Sequence, residues 1–146
     1  MRIIAAVLFF AVLLPQTAGA VDIREATKQL QQAELRWTRA SPSRYLLEVR
    51  YSTFLLTYGC ELQTFRVSGR RSTPTAPPSC KSQPRKLGSV PALFRLVHKL
   101  LAQRPDEIAV EYDATYGYPK TFYAGSNKVE DNFFKFTVIE FKAIDR

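Results

Sequence analysis

The apolar repeat of this chain switches from a period near 3.6 to a period of 2, back to 3.6, and then to 2 again. That order is the strongest constraint on the fold, because helices and strands that each carry one apolar face must bury those faces against each other. From Asp22 to Arg39, the residues Ile23, Ala26, Leu30, Ala33 and Trp37 recur at three- and four-residue steps, while Arg24, Lys28, Gln31, Gln32 and Arg39 turn away. Asp22 is expected as the N-cap, with Glu25 three residues on completing a capping box. Trp37 is the large residue expected to dock this helix onto a sheet, and Pro42 in "ASPS" ends it by restricting the residue before it.

Strand alternation follows. In "RYLLEVRYSTFLLTYGC" the residues Tyr45, Leu47, Val49, Tyr51 and Leu55 share one parity, with Glu48, Arg50 and Ser52 on the other. Gly59 permits a turn and "ELQTFRVSG" returns as a second strand, so a hairpin is expected. Residues 70–89 are basic and carry Pro74, Pro77, Pro78 and Pro84, which remove backbone donors and fix φ, so a loop is expected there. A second helix starts after Ser89, with Val90, Leu93, Phe94, Val97, Leu100 and Leu101 as its stripe and Pro105 beyond its end. Ile108, Val110 and Tyr112 then begin a strand, "KTFYAG" a second, and "NFFKFTVIEF" a third with Phe134, Phe136 and Val138 on one parity and Phe133, Lys135, Thr137, Ile139 and Phe141 on the other. The expected fold is α+β: an antiparallel sheet of about five strands with two amphipathic helices on one face.

The first 20 residues, "MRIIAAVLFFAVLLPQTAGA", have a charged start, an apolar run and a small-residue end, the pattern of a secretory signal peptide. Residues 21–146 are then expected as a single domain in the periplasm or outside the cell, a monomer with no transmembrane segment after cleavage. Cys60 and Cys80 are the only cysteines, and in an exported chain a pair reads first as a disulfide. It would close a loop of about 20 residues and contribute about 3 kcal/mol. A thiol-redox motif would need closer spacing.

The formal net charge is +8, and no carboxylate occurs between Glu61 and Asp106, where nine Lys and Arg residues fall. That segment would attract an anionic envelope component or an exported protein, with Arg70, Arg71, Lys81, Arg85 and Lys86 as the expected contacts, or it is simply a solvated face. Nucleic acid is not an expected partner of an exported chain. His98 has no metal-spaced partner and reads as a surface residue, and neither metal nor cofactor is expected. Glu111 and Asp113 lie two apart on an expected strand, roughly 7 Å from each other, a separation that a pair of glycosidase carboxylates can use. The ring-rich run "VEYDATYGYPKTFYAG" is explained by cross-strand aromatic packing, with a ligand patch at Tyr116, Tyr118 and Tyr123 as the alternative.

The segments Tyr51 to Cys60, "RVSGR", "VPALFRLVHKL", "VEYDATYGYPKTFYA" and "NKVEDNFFKFTVIEF" together resemble DUF6174, a family of small exported bacterial proteins of unknown function. Tyr112, Asp113, Gly117 and Pro119 form the most specific part, a Tyr-Asp-x-x-x-Gly-x-Pro run, and the likeness spans about Trp37 to Phe141. Gly125-Ser126-Asn127 stands where the family carries an acidic residue, so no acidic or metal-linked role comes across to that turn. The resemblance implies fold and export and brings no catalytic residue. The expected function is therefore an exported, non-catalytic binding or interaction module of the cell envelope. The alternatives are a small hydrolase using Glu111 and Asp113, or a purely structural envelope protein.

Overall fold

The computed structural model describes residues 22–53, 61–75, 88–126 and 133–144. In chain order these form α1 (Ile23–Ala40), β1 (Arg44–Thr53), β2 (Leu62–Ser68), β3 (Arg71–Pro74), α2 (Val90–Ala102), β4 (Glu107–Tyr112), β5 (Pro119–Gly125) and β6 (Phe133–Ala143). The α+β class follows directly. Asp22 caps α1 through Oδ1, which accepts from the N–H groups of Arg24 (2.9 Å) and Glu25 (3.3 Å), donors that a helix start leaves open. Ser41 turns to extended backbone ahead of Pro42 and closes the helix by donating to the Trp37 carbonyl. Ser89 caps α2 by accepting from the Ala92 N–H, and Pro91 sits in the first turn, where its missing N–H leaves no bond unmade. Among the described residues no helix is long and apolar enough to cross a membrane.

The strands form one sheet in the order β3-β2-β1-β6-β5-β4, with every neighbouring pair antiparallel. The last strand, β6, lies between β1 and β5 and so joins the N-terminal and C-terminal hairpins into a single layer. The sheet has six strands where the sequence pattern predicts about five. The additional one, β3, falls inside the stretch expected to be a loop from 70 to 89. It pairs with β2 across a tight turn at Gly69 and Arg70, where Gly69 takes φ of 56°. An edge strand is bonded along one side only, so Pro74 can end it without breaking a ladder. Ser72 Oγ donates to the Gly88 carbonyl and ties this edge to the start of α2.

One parity of the sheet and the stripes of both helices make a single core. Leu30, Ala33 and Trp37 of α1 and Val90, Leu93, Phe94, Val97 and Leu101 of α2 cluster with Tyr45, Leu47, Val49, Tyr51, Phe65, Val67, Phe122 and Phe136 of the sheet. Each fully buried Leu or Phe contributes about 1.5–3 kcal/mol. Trp37 docks α1 edge-on against Tyr45 (5.6 Å) and Phe141 (5.9 Å), as its place on the stripe suggests. The Tyr45 hydroxyl accepts from the Val90 N–H at 3.0 Å, so the same ring also holds the N-terminus of α2.

The pleat of β6 departs from simple alternation. Glu48 faces Glu140 while Val49 faces Val138, so Ile139 is an extra residue on β6. A bulge of this kind reverses the faces of everything beyond it. Phe141 therefore lies with the core residues rather than on one face with Lys135 and Thr137, whose parity it shares in the sequence, and its ring meets Trp37, Tyr45, Tyr116 and Tyr118. Ile139 is left 45% exposed.

The hydroxyl of Tyr112, at the end of β4, is buried and has no hydrogen-bond partner among the described residues. Burial pushes its pKa well above the usual tyrosine range, and the Glu34 carboxylate adds to the shift. Tyr112→Phe is thus expected to raise stability by about 1 kcal/mol, because it removes a desolvated polar group that returns no bond. The sign of the pH dependence is set by the raised folded-state pKa. The phenol's contribution is whole below about pH 10, the unfolded value, and is lost as pH rises toward the folded one. Urea midpoints at about pH 8 and about pH 10.5 check both points: wild type should lose more over that interval than the variant.

Candidate functional site

The residues of the opposite parity point away from the core, and the strand registers place them side by side. Across β3, β2, β1 and β6 one row reads Thr73, Arg66, Leu46, Lys142, and the row beyond it reads Arg71, Ser68, Arg44. Adjacent strands are about 4.8 Å apart and same-face residues about 7 Å apart along a strand. Arg66 is therefore a diagonal neighbour of both Arg44 and Arg71, and Lys142 of Arg44. Arg70 adds a fifth cation in the β2–β3 turn. All five are exposed, and the side chains of Arg66, Arg70, Arg71 and Lys142 make no hydrogen bond or ion pair among the described residues. Among the described residues the first carboxylates on this face come one row further on, at Glu48 and Glu140, and Glu48 accepts from Thr64 Oγ1 at 3.1 Å. The result is a corner of one sign at one end of an otherwise mixed surface.

Like charges on neighbouring sheet positions repel, so a face that only had to be soluble has no need to gather its cations at one end. Its far end is balanced. Glu111 pairs with Lys120 at 2.9 Å, and this carboxylate holds the Lys120 ammonium above its ordinary pKa. Tyr123 lies against Phe133 and its hydroxyl reaches Glu107 at 3.3 Å. Gly125 makes room for that ring, since a Cβ at 125 would strike it.

The other residues singled out in the sequence have different surroundings. Asp113 follows β4 and folds the turn: Oδ1 accepts from the N–H groups of Thr115 (2.9 Å) and Tyr116 (2.6 Å), and its carbonyl accepts from Gly117 and from Arg36 Nη1 (3.1 Å). Glu111, on the outer face, is paired with Lys120 at 2.9 Å, while Asp113 Oδ1 is taken up by the turn. Tyr118 stacks on Phe141 at 4.6 Å and Tyr116 meets the same ring tilted at 5.1 Å, both packed against the core, whereas Tyr123 is on the outer face; the three do not make one patch. His98 is exposed on α2 and meets Glu34 at 2.9 Å. Cys60, Cys80, Lys81, Arg85, Lys86 and residues 1–20, expected as a signal peptide, lie outside the described residues. Among the described residues no three His, Cys, Asp or Glu side chains gather as a metal site would need.

Arg70 and Arg71 are thus part of the corner, and Arg44, Arg66 and Lys142 complete it. Arg44 and Lys142 lie outside the carboxylate-free segment between Glu61 and Asp106. The bulge hides Lys142 further, since it alone brings that side chain onto the same face as Arg44. The signal that would find them is cross-strand register, which a single sequence does not carry.

A family model described as a family of unknown function (DUF6174) matches residues 29–143. No curated protein and no solved structure matches the chain.

Proposed function

The chain belongs to DUF6174, whose members have no assigned activity, so its work must be read from its own surface, and we propose that it is an exported, non-catalytic binding module. It holds an anionic envelope component against the basic corner of its outer sheet face. The observation that carries this is the convergence of Arg44, Arg66, Arg71 and Lys142, from four strands, beside Arg70. Such a cluster raises the local potential and draws a polyanion from beyond contact distance, about 10 Å at moderate salt. The hydrolase alternative needs Glu111 and Asp113 in concert, and both are engaged in a pair and a turn.

The experiment uses protein recovered from the exported fraction. Its intact mass should show loss of residues 1–20 and oxidation of Cys60 and Cys80 to one disulfide; readily alkylated thiols without reductant would remove the disulfide from the account. Dextran sulfate serves as the probe. Wild type should bind it and lose at least about tenfold in affinity between about 50 and about 200 mM salt. The fourfold variant Arg66→Gln, Arg70→Gln, Arg71→Gln, Lys142→Gln should lose about a hundredfold at the lower salt with an unchanged melting temperature, since these side chains support no core contact. Equal binding by the variant would leave the basic corner a solvated surface and favour a structural role.

A further inference from the structure

We infer that the cavity at the C-terminal end of α2 binds a small apolar monocarboxylate, gripped by Arg104 above an aromatic and aliphatic floor. This site is independent of the proposed polyanion corner. The two lie at opposite ends of β6, roughly 30 Å apart along an extended strand of that length.

The cavity is an open cleft of about 390 Å³, within the range of small-molecule sites. Leu100, Phe133 and Phe134 supply the apolar lining; Gln103, Arg104 and Asp106 supply the polar rim. Arg104 follows the helix in the left-handed region, with φ of 51°, and is the one non-glycine residue with positive φ among those described. Its N–H donates to the Leu101 carbonyl at 3.0 Å, which closes the helix in a position where glycine is the ordinary occupant. An arginine kept there at a cost in backbone strain points to use of its side chain. That side chain has no hydrogen bond or ion pair among the described residues.

The chemistry of the rim narrows the ligand. A guanidinium offers a planar fork that matches a carboxylate in two parallel bonds. Asp106 stands on the same rim and accepts from Ser126 Oγ at 2.9 Å, so a second negative charge on the ligand would be repelled. A single carboxylate on Arg104, with a hydrocarbon body over Leu100, Phe133 and Phe134, matches this lining.

Titration of ¹⁵N-labelled protein with octanoate tests the site, with 1-octanol as the uncharged comparison. Octanoate should shift the amides of Leu100, Gln103, Arg104, Asp106, Gly125 and Ser126, and bind at least tenfold more tightly than octanol. Arg104→Gln should cut octanoate affinity at least tenfold. Arg104→Gly should cut it equally while melting no lower than wild type, because the left-handed strain goes with the side chain; that separates loss of the site from loss of the fold. The fourfold corner variant should bind octanoate as wild type does. Equal binding of octanol and octanoate, unchanged binding by Arg104→Gln, or shifts scattered away from the cavity would overturn the assignment.

Discussion

Gly117→Ala is expected to cost about 3 kcal/mol, a large share of the roughly 5–15 kcal/mol that holds a domain of this size together. Two penalties combine. Gly117 takes φ of 83°, a left-handed conformation that alanine adopts only under strain. A Cβ there would also overlap the Ala33 carbonyl oxygen and lie 2.9 Å from Arg36 Cβ and 3.2 Å from the Trp37 nitrogen. The obstacle is mostly helix backbone, which cannot turn aside as a flexible side chain would. Urea unfolding gives the figure directly. A loss under about 1 kcal/mol would mean that the β4–β5 turn does not sit on α1 as described.

Phe141→Ala is expected to cost about 3 kcal/mol, while Ile139→Ala on the same strand costs less than about 0.5 kcal/mol. Strict alternation would put the two side chains on one face and give them similar values. The bulge at Ile139 separates them: Phe141 packs against four aromatic rings, and Ile139 is left 45% exposed on the outer side. Comparable losses at both positions, measured by denaturant midpoints at constant slope, would contradict the register of β6 against β1.

Gly117 and Phe141 also mark how far the amino-acid sequence alone reaches toward this fold. Helix boundaries are legible because Asp22, Ser89 and Pro42 act through neighbours within four residues, and the stripe alone assigns Trp37 to docking. The pairing of β1 with β2 is legible because a turn signal separates two alternating runs. Alternation misplaces Phe141 because a bulge is a relation between two strands and leaves no mark in the period of either one. β3 escapes for the opposite reason: its local composition argues against a strand, and only the free edge of β2 recruits it. Ring crowding around Gly117 is architecture, as cross-strand packing implies, although the partner that demands the glycine, α1, lies some 80 residues away in the chain. The candidate site is half visible. Arg70 and Arg71 advertise themselves in a carboxylate-free segment, but Arg44, Arg66 and Lys142 become their neighbours only through the order β3-β2-β1-β6.

Whether this corner acts as a unit is decided most directly by the salt dependence of dextran sulfate binding, taken one cation at a time. A plot of log affinity against log salt has a slope set by the number of counterions released, so each cation in true contact contributes about one unit. The single variants Arg66→Gln, Arg71→Gln and Lys142→Gln are each predicted to flatten the wild-type slope by about one. Arg24→Gln on α1 and Arg95→Gln on α2, which remove exposed cations away from the outer sheet face, are predicted to leave it unchanged. Equal flattening by all five substitutions would show that the polyanion senses only net charge, and would contradict a binding site at the corner.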